Sequence, residues 1–495
     1  MSDSTPRVRT YGNWRKPQKG GLGKLSYAAT ISGLAFILGL FLIQNIYGWT
    51  WAALFLATGG PAWVLVARED RHGVTAAYRL GEYMRFRKST RKGENLYRSG
   101  LLAINPTDGK THLPGTLAAT TISEHTDAYG RPFALLHHAD KTMSVVASLA
   151  PPGTDLIDSD KIDDAVGHWA AWLGYLSTES GLIAAQLTIE SVPDNGKRLR
   201  REIENTLTPD APDLAKAAMR EVLVNYSVGL AMVRGWVSFT FDPTKLGGSA
   251  KRRFAAAEIG ARLPNLTRGL EGGTRAGAVH LMTATDLTRM VRIAYDPAAE
   301  PLFDDADAKG TPIQLTWGEA GPLVAEAQKL SYYHDSGHSK SWVMTSPPSG
   351  EVQSGVLRRL LEPNRDVERK RVTLFYQPIS PALAGDLVEK DIKQAQLRAT
   401  STGKPSHRAA KEHASATQTA REEASGAALV DFGMIVTATT TSGDPDHLAT
   451  VIEALTAASR LQMRPAYGVQ DSAFALSLPL GIQPSTGTSL GAAKW

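Results

Sequence analysis

LSYAATISGLAFILGLFLIQNIYGWTWAALFLATGGPAWVLVA, residues 25–67, contains no Lys, Arg, Asp or Glu across 43 positions. One helix of that length would run about 65 Å, twice what a hydrocarbon core of about 30 Å requires. The run therefore has to turn, and Asn45-Ile46-Tyr47-Gly48 offers the place. The first span, Leu25 to Gln44, carries Ile31, Leu34, Phe36, Ile37, Leu38, Leu40, Phe41, Leu42 and Ile43. Together these favour insertion by several kcal/mol. The second span, Trp49 to Ala67, is weakened by Gly59-Gly60-Pro61, which packing against the first helix offsets. Tyr47, Trp49 and Trp51 at one end and Trp63 nearer the other suit membrane-interface belts. A cleaved signal peptide would have a shorter apolar core with no second span after it. A two-helix transmembrane hairpin is the expectation.

Charge gives the hairpin a direction. Up to Lys24 there are six Lys/Arg against one acid, Asp3, and from Arg68 to Arg98 nine against four. The turn has none. By the positive-inside rule both ends, and everything attached to them, lie on the cytoplasmic side. Helical spacing of Val74, Ala77, Tyr78, Gly81 and Met84, with Arg71, Arg79, Arg85 and Lys88 nearby, reads equally as a juxtamembrane helix against anionic lipid or as a basic connector. The absence of cysteine excludes disulfides, thiolate metal sites and cysteine nucleophiles. With 42% apolar residues the rest of the chain can bury a core.

That remainder alternates strand-like and helical stretches, which predicts an α+β fold of the ferredoxin-like type. Arg131–His138 and Thr142–Leu149 read as strands around an Ala139-Asp140-Lys141 loop, and Asp158–Thr178 as an amphipathic helix. Asp296–Lys309 reads as an acidic loop and Val352–Leu361 as a helix. The final unit reads as strand Val430–Thr439, helix Asp444–Leu461, strand Met463–Gly468 and a short helix from Gln470. The expected organisation is a basic N-terminus (1–24), the hairpin (25–67), a juxtamembrane helix and linker (68–100), and two α+β domains (101–310 and 311–481). The second carries a long helical insertion at 381–428, and a flexible tail (482–495) ends the chain. No repeat period is visible.

Chemical motifs are scarce. Gly20-Gly21-Leu22-Gly23-Lys24-Leu25-Ser26 lacks the spacing and the Ser/Thr of a phosphate loop. His137-His138 and His334-Asp335-Ser336-Gly337-His338 are the compact histidine groups, and Ser336-Gly337 marks a turn rather than a chelating helix. The expectation is no catalytic residue, no cofactor and no metal. Arg91, Lys92 and Arg98, or Lys251-Arg252-Arg253, are the basic groups that could meet phosphates, though solvated faces are the ordinary reading of such groups, and direct nucleic-acid contact stays open.

Several segments resemble a family of membrane components encoded in conjugative elements of high-GC Gram-positive bacteria. They are Tyr11-Gly12-Asn13-Trp14-Arg15-Lys16-Pro17, Leu96-Tyr97-Arg98-Ser99-Gly100, Tyr129-Gly130-Arg131-Pro132-Phe133-Ala134-Leu135-Leu136-His137-His138, Gly350-Glu351-Val352-Gln353-Ser354 and Arg369-Lys370-Arg371-Val372-Thr373-Leu374. The likeness runs from about Thr10 to Gly481. Arg464-Pro465-Ala466-Tyr467-Gly468-Val469-Gln470 and Ser472 to Gly481 also resemble the segment that ends the N-terminal, non-ATPase domain of the type IV secretion ATPase. In those ATPases a nucleotide-binding domain follows; here 14 residues follow Gly481. The resemblance implies a membrane-anchored scaffold of a conjugative DNA-transfer machine, oligomeric, with a separate ATPase and other membrane subunits as partners. Gln470, Phe474 and Leu476 are the candidate partner-binding residues, the other reading being that they fill the chain's own core. The rival readings are a membrane component of a type VII-like secretion machine and a membrane-tethered enzyme.

Overall fold

A computed structural model of the chain describes residues 11, 12, 14, 27–70, 72–100, 103, 111–152, 157–193, 197–208, 210–226, 231–246, 252–348, 350–401 and 407–484. The Gly20–Ser26 segment, Lys251, most of the N-terminus 1–24 and the tail from 485 lie outside the described residues. The chain is a mixture of helices and one large antiparallel sheet.

Helices α1 (Tyr27–Tyr47) and α2 (Trp49–Ala67) come first, reversing at Gly48. Its φ of +84° is a conformation that side chains with a Cβ rarely adopt. Helix α3 (Ala76–Arg91) and the short strand β1 (Leu96–Arg98) follow.

The body then runs twice through the same elements. The first run comprises β2 (Thr121–Thr126), β3 (Pro132–His137), β4 (Met143–Ala150), α4 (Ser159–Thr178), β5 (Leu182–Pro193), α5 (Lys197–Thr206), α6 (Asp213–Tyr226), β6 (Ala231–Phe241), α7 (Arg252–Glu271), β7 (Ala278–Leu281) and α8 (Ala284–Tyr295). After α9 (Glu300–Ala308), the second comprises β8 (Val324–Ala327), β9 (Tyr332–His334), β10 (Gly337–Ser346), α10 (Arg358–Leu361), β11 (Arg369–Pro378), α11 (Pro381–Ser401), α12 (His407–Ala424), β12 (Val430–Thr440), α13 (Pro445–Ala458), β13 (Gln462–Pro465) and α14 (Gln470–Ser477).

Pairing is equivalent in the two runs. The order β7-β4-β6-β5 in the first matches β13-β10-β12-β11 in the second, all antiparallel. Each first strand also receives a preceding hairpin on its outer edge, β3 on β4 and β9 on β10. Each run inserts a helical pair at the same place, α5–α6 or α11–α12. The second strands β5 and β11 then pair antiparallel, so equivalent elements meet as in a twofold-related pair.

This placement corrects the expected organisation. The two expected α+β domains share one sheet: the β5–β11 seam joins the runs into 13 strands. A repeat does exist, carried by topology. The acidic stretch expected as a loop contains α9, with Pro301 in its first turn and Phe303 buried. The helix expected over Val352–Leu361 shrinks to the turn Ser354–Leu357 and four-residue α10, because Val352 is extended and bridged to Tyr11.

The strands' period of two separates the sheet faces. Met143, Val145 and Ala147 of β4 enter a core with α4 and α7, while Val146 enters another with α8 and α14. In the second run, α10 and α13 cover the face carrying Trp342, Val372 and Val436. Across the α8/α14 face runs a row of buried hydroxyls paired between strands: Ser144–Thr240 at 3.0 Å, Thr188–Thr373 at 3.2 Å, Ser341–Thr437 at 2.9 Å and Ser339–Thr439 at 2.7 Å. These polar groups serve irregular backbone. The Gln186 amide donates to the Leu476 and Leu478 carbonyls, and Thr373 Oγ1 donates to that of Ser477.

Candidate membrane anchor and its dock

Within the described residues one helical stretch, Ala29–Tyr47, is long and apolar enough to cross a membrane, with mean hydropathy 1.8 and 11% of it buried. Leu34, Ile37, Leu38 and Phe41 are each at least 60% exposed, which water would penalise heavily. Helix α2 packs on this helix through small residues. Phe36 stacks on Phe55 at 5.0 Å, and a Cβ added to Gly59 would lie 2.5 Å from the Phe36 ring. Close approach through glycine is how helices pack without a hydrophobic driving force. Tyr47, Trp49 and Trp51 are exposed around the turn. Trp63 differs from the interface expectation: its indole packs over Gly33 and its Nε1–H donates to the Ala29 carbonyl at 3.3 Å. It belongs to the helix–helix contact.

The body grips the chain on both sides of this pair. Ahead of it, Tyr11 exchanges two 2.7 Å backbone hydrogen bonds with Val352, and its hydroxyl donates to Asp163 at 2.9 Å. Trp14 meets Phe432 edge-on at 5.3 Å. Beyond it, the Asp70 carboxylate accepts from the His72 and Val74 amides, and Thr75 caps α3. Glu82 of α3 is buried against Arg464, whose guanidinium donates from Nη1 at 3.0 and 3.3 Å and from Nη2 at 3.3 Å. Phe86 lies over Gly468, where a Cβ would come within 3.1 Å. Lys329 sits over the rings of Tyr83 and Tyr467.

Removing one partner of such a pair strands the other charge, at about 2 kcal/mol or more. Arg464→Ala is therefore expected to raise amide exchange across α3 about thirtyfold. Hydrogen exchange of the purified chain checks this, and unchanged α3 protection would show that the ion pair does not hold the dock.

Among the described residues a serine hydroxyl meets a histidine in two equivalent buried sets and in one open cleft. His138 Nε2 lies 2.9 Å from Ser144 Oγ, which touches Thr240; His334 Nε2 lies 2.7 Å from Ser339 Oγ, which touches Thr439. Both serines are completely buried, so no substrate reaches them. His334 Nδ1 is also engaged, 2.6 Å from the Tyr295 carbonyl. These sets are structural ties, one per run. Among the described residues no group of three or more His, Asp or Glu is placed to hold a metal ion.

Burial pushes both imidazoles down to about 4. The unfolded chain takes up protons near the ordinary value of 6.5, whereas the fold does not until about 4. Stability is thus fully present above 6.5 and lost as pH falls toward 4, by roughly 3 kcal/mol per histidine. Melting temperature should fall across that window, and His334→Asn should flatten the slope. A pH-independent melt between 4 and 6.5 would contradict the sealed-histidine reading.

Two clefts remain. One of about 430 Å³ is lined by Glu190, Arg234, Arg289, Glu300, Arg369 and Arg371 among others. Its charges neutralise one another: Arg371 binds Glu190 at 2.6 Å, Arg369 bridges Glu190 and Glu300, Arg234 pairs with Glu300, and Arg289 with Asp304 and Asp307. Burial alone would raise the Glu190 carboxyl, but Arg371, Arg369 and Arg234 outweigh it and hold it below the usual range. The other, about 540 Å³, exposes Ser123 between His125 and His137, 2.9 Å from each Nε2.

The partner residues expected at the C-terminus are corrected by their burial. Gln470, Phe474 and Leu476 are all inside the body. The Gln470 side chain accepts from the Ser341 amide and donates to the Ser341 carbonyl. The Phe474 ring packs among Tyr295, Tyr332, His334 and the Arg371 guanidinium. Arg91, Lys92 and Arg98 are exposed, with Lys92 3.5 Å from Glu94. The feature missed in the sequence is the Glu82–Arg464 dock; the lone acid in a basic helix was its signal.

No protein-family model matches the chain, and no curated protein matches it significantly.

Proposed function

We propose that the chain is a non-enzymatic scaffold held in the cytoplasmic membrane by α1 and α2, both spanning, with its ends and body on the inner side. We read each run of the body as a ferredoxin-like unit, from its β-α-β-β-α-β order and its 4-1-3-2 strand arrangement. The resemblance of its segments to conjugative membrane components supports reading the machine as a type IV-like DNA-transfer apparatus, in which the scaffold recruits a separate ATPase and other membrane subunits. The single observation behind the reading is an apolar, exposed helix pair clamped to a folded body on both flanks, by Tyr11 and Trp14 before it and by α3 after it. Such clamping gives a tether a fixed attitude, as a recruiting platform needs. Crosslinking in native membranes followed by capture of the full chain tests the proposal. Co-capture of a DNA-pumping ATPase is the expected result; capture of type VII components, or of the chain alone, would overturn it.

A further inference from the structure

We infer that the outward face of α3 is a binding surface for anionic phospholipid headgroups, a second membrane contact that sets the tilt of the body. It rests on the proposed membrane anchor and adds a lipid-recognising element to it. Helical periodicity splits α3 into two faces. Tyr78, Glu82 and Phe86 turn toward the body, around Arg464 and Gly468. Ala77, Leu80, Met84, Arg87, Lys88 and Arg91 occupy the opposite side and are exposed, Leu80 and Met84 at 56% each.

Charge then selects the occupant. Glu82 is the sole acid of α3, and it is buried on Arg464. Arg79 is paired with Asp70. Among the described residues Arg87, Lys88 and Arg91 have no acidic partner, so the outward face is cationic around an apolar centre. A lipid interface matches both parts, headgroups to the cations and the acyl boundary to Leu80 and Met84. Nucleic acid would match only the first. Position agrees: eight residues separate Ala67 at the end of α2 from Ala76, and the Asp70 turn and the Glu69–Thr75 bridge hold them compact.

The chain has no cysteine, so single labels are readily placed. Full-length Met84→Cys, Leu38→Cys and Leu397→Cys, each carrying a nitroxide, would be reconstituted in phosphatidylcholine vesicles with or without phosphatidylglycerol, with a water-soluble relaxant on both sides. Leu38 reports α1, and Leu397, exposed on α11, reports water. The expected result is a Met84 label severalfold less accessible than the Leu397 label when phosphatidylglycerol is present. Its protection should weaken without the anionic lipid and when Arg87, Lys88 and Arg91 are changed to Gln; each cation near an anionic surface is worth about fivefold in affinity. A Met84 label as accessible as Leu397 in anionic vesicles overturns the inference, as does protection indifferent to lipid charge. If the Leu38 label were also water-accessible, the membrane anchor itself would fail.

Discussion

Glu190→Gln is expected to destabilise the folded body by roughly 3–5 kcal/mol. Glu190 lies on β5 at the seam, opposite Arg371 of β11, and both side chains are about 4% exposed. Its carboxylate is the sole anion of Arg371 among the described pairs and is shared with Arg369. Glutamine keeps the size but removes the charge, leaving a guanidinium in the interior against Phe474 and Ser477. An uncompensated buried charge is far costlier than the pair is stabilising. Glu190→Gln with Arg371→Met should therefore recover much of the loss. Denaturant unfolding of the two variants measures both effects. Because the seam joins the runs, the transition should shift as a whole; two separated transitions would mean that the runs fold independently.

Arginine at both Leu38 and Phe41 should expel the chain from membranes. Both residues are at least 60% exposed in the middle of α1. Two arginines near the centre of a span cost about 6 kcal/mol of insertion free energy, and the lost side chains add about 1 more. Snorkelling reduces the penalty, but positions 38 and 41 lie farther from either end of the helix than flanking residues do. Fractionation after alkaline washing should find the unsubstituted chain in the membrane pellet and the double variant in the supernatant or degraded. A variant that stays in the pellet would place the principal attachment elsewhere.

The elements most legible in the sequence were those fixed by local periodicity or by solvent. The uncharged run 25–67 produced both N-terminal helices, and the apolar face of Asp158–Thr178 produced α4 nearly to the residue. Richness in β-formers found β3 and β4, and the strand–helix–strand pattern of the last unit found β12 and α13. What stayed hidden depends on distant partners. The short strands β1, β7 and β8 are too brief to show a period and exist because neighbouring edges accept them. The topological repeat escaped because the two runs share pairing rather than residues, apart from small polar sets such as His138–Ser144–Thr240 and His334–Ser339–Thr439.

At the candidate site the long apolar helix was legible and the dock of α3 was not. Glu82 meets Arg464 across 382 positions; local pattern marks Glu82 as the lone acid of a basic helix but says nothing of its partner. Phe474 and Leu476 look like a sticky helix face in sequence; aromatic neighbours from α8 and β9 bury Phe474, and Leu476 packs in a core with Val343, Phe375 and Ile435. Buried side chains satisfied within their own fold are the usual fate of such residues.

Single cysteines at Tyr47, exposed beside the turn, and at Leu397, challenged in intact cells with a membrane-impermeant maleimide, test the central claim most directly. With a hairpin whose turn emerges outside and a body that stays inside, the cysteine at 47 should label in intact cells and that at 397 only after lysis. Labelling of position 397 from outside, or failure to find the unlysed chain in membranes at all, would contradict it.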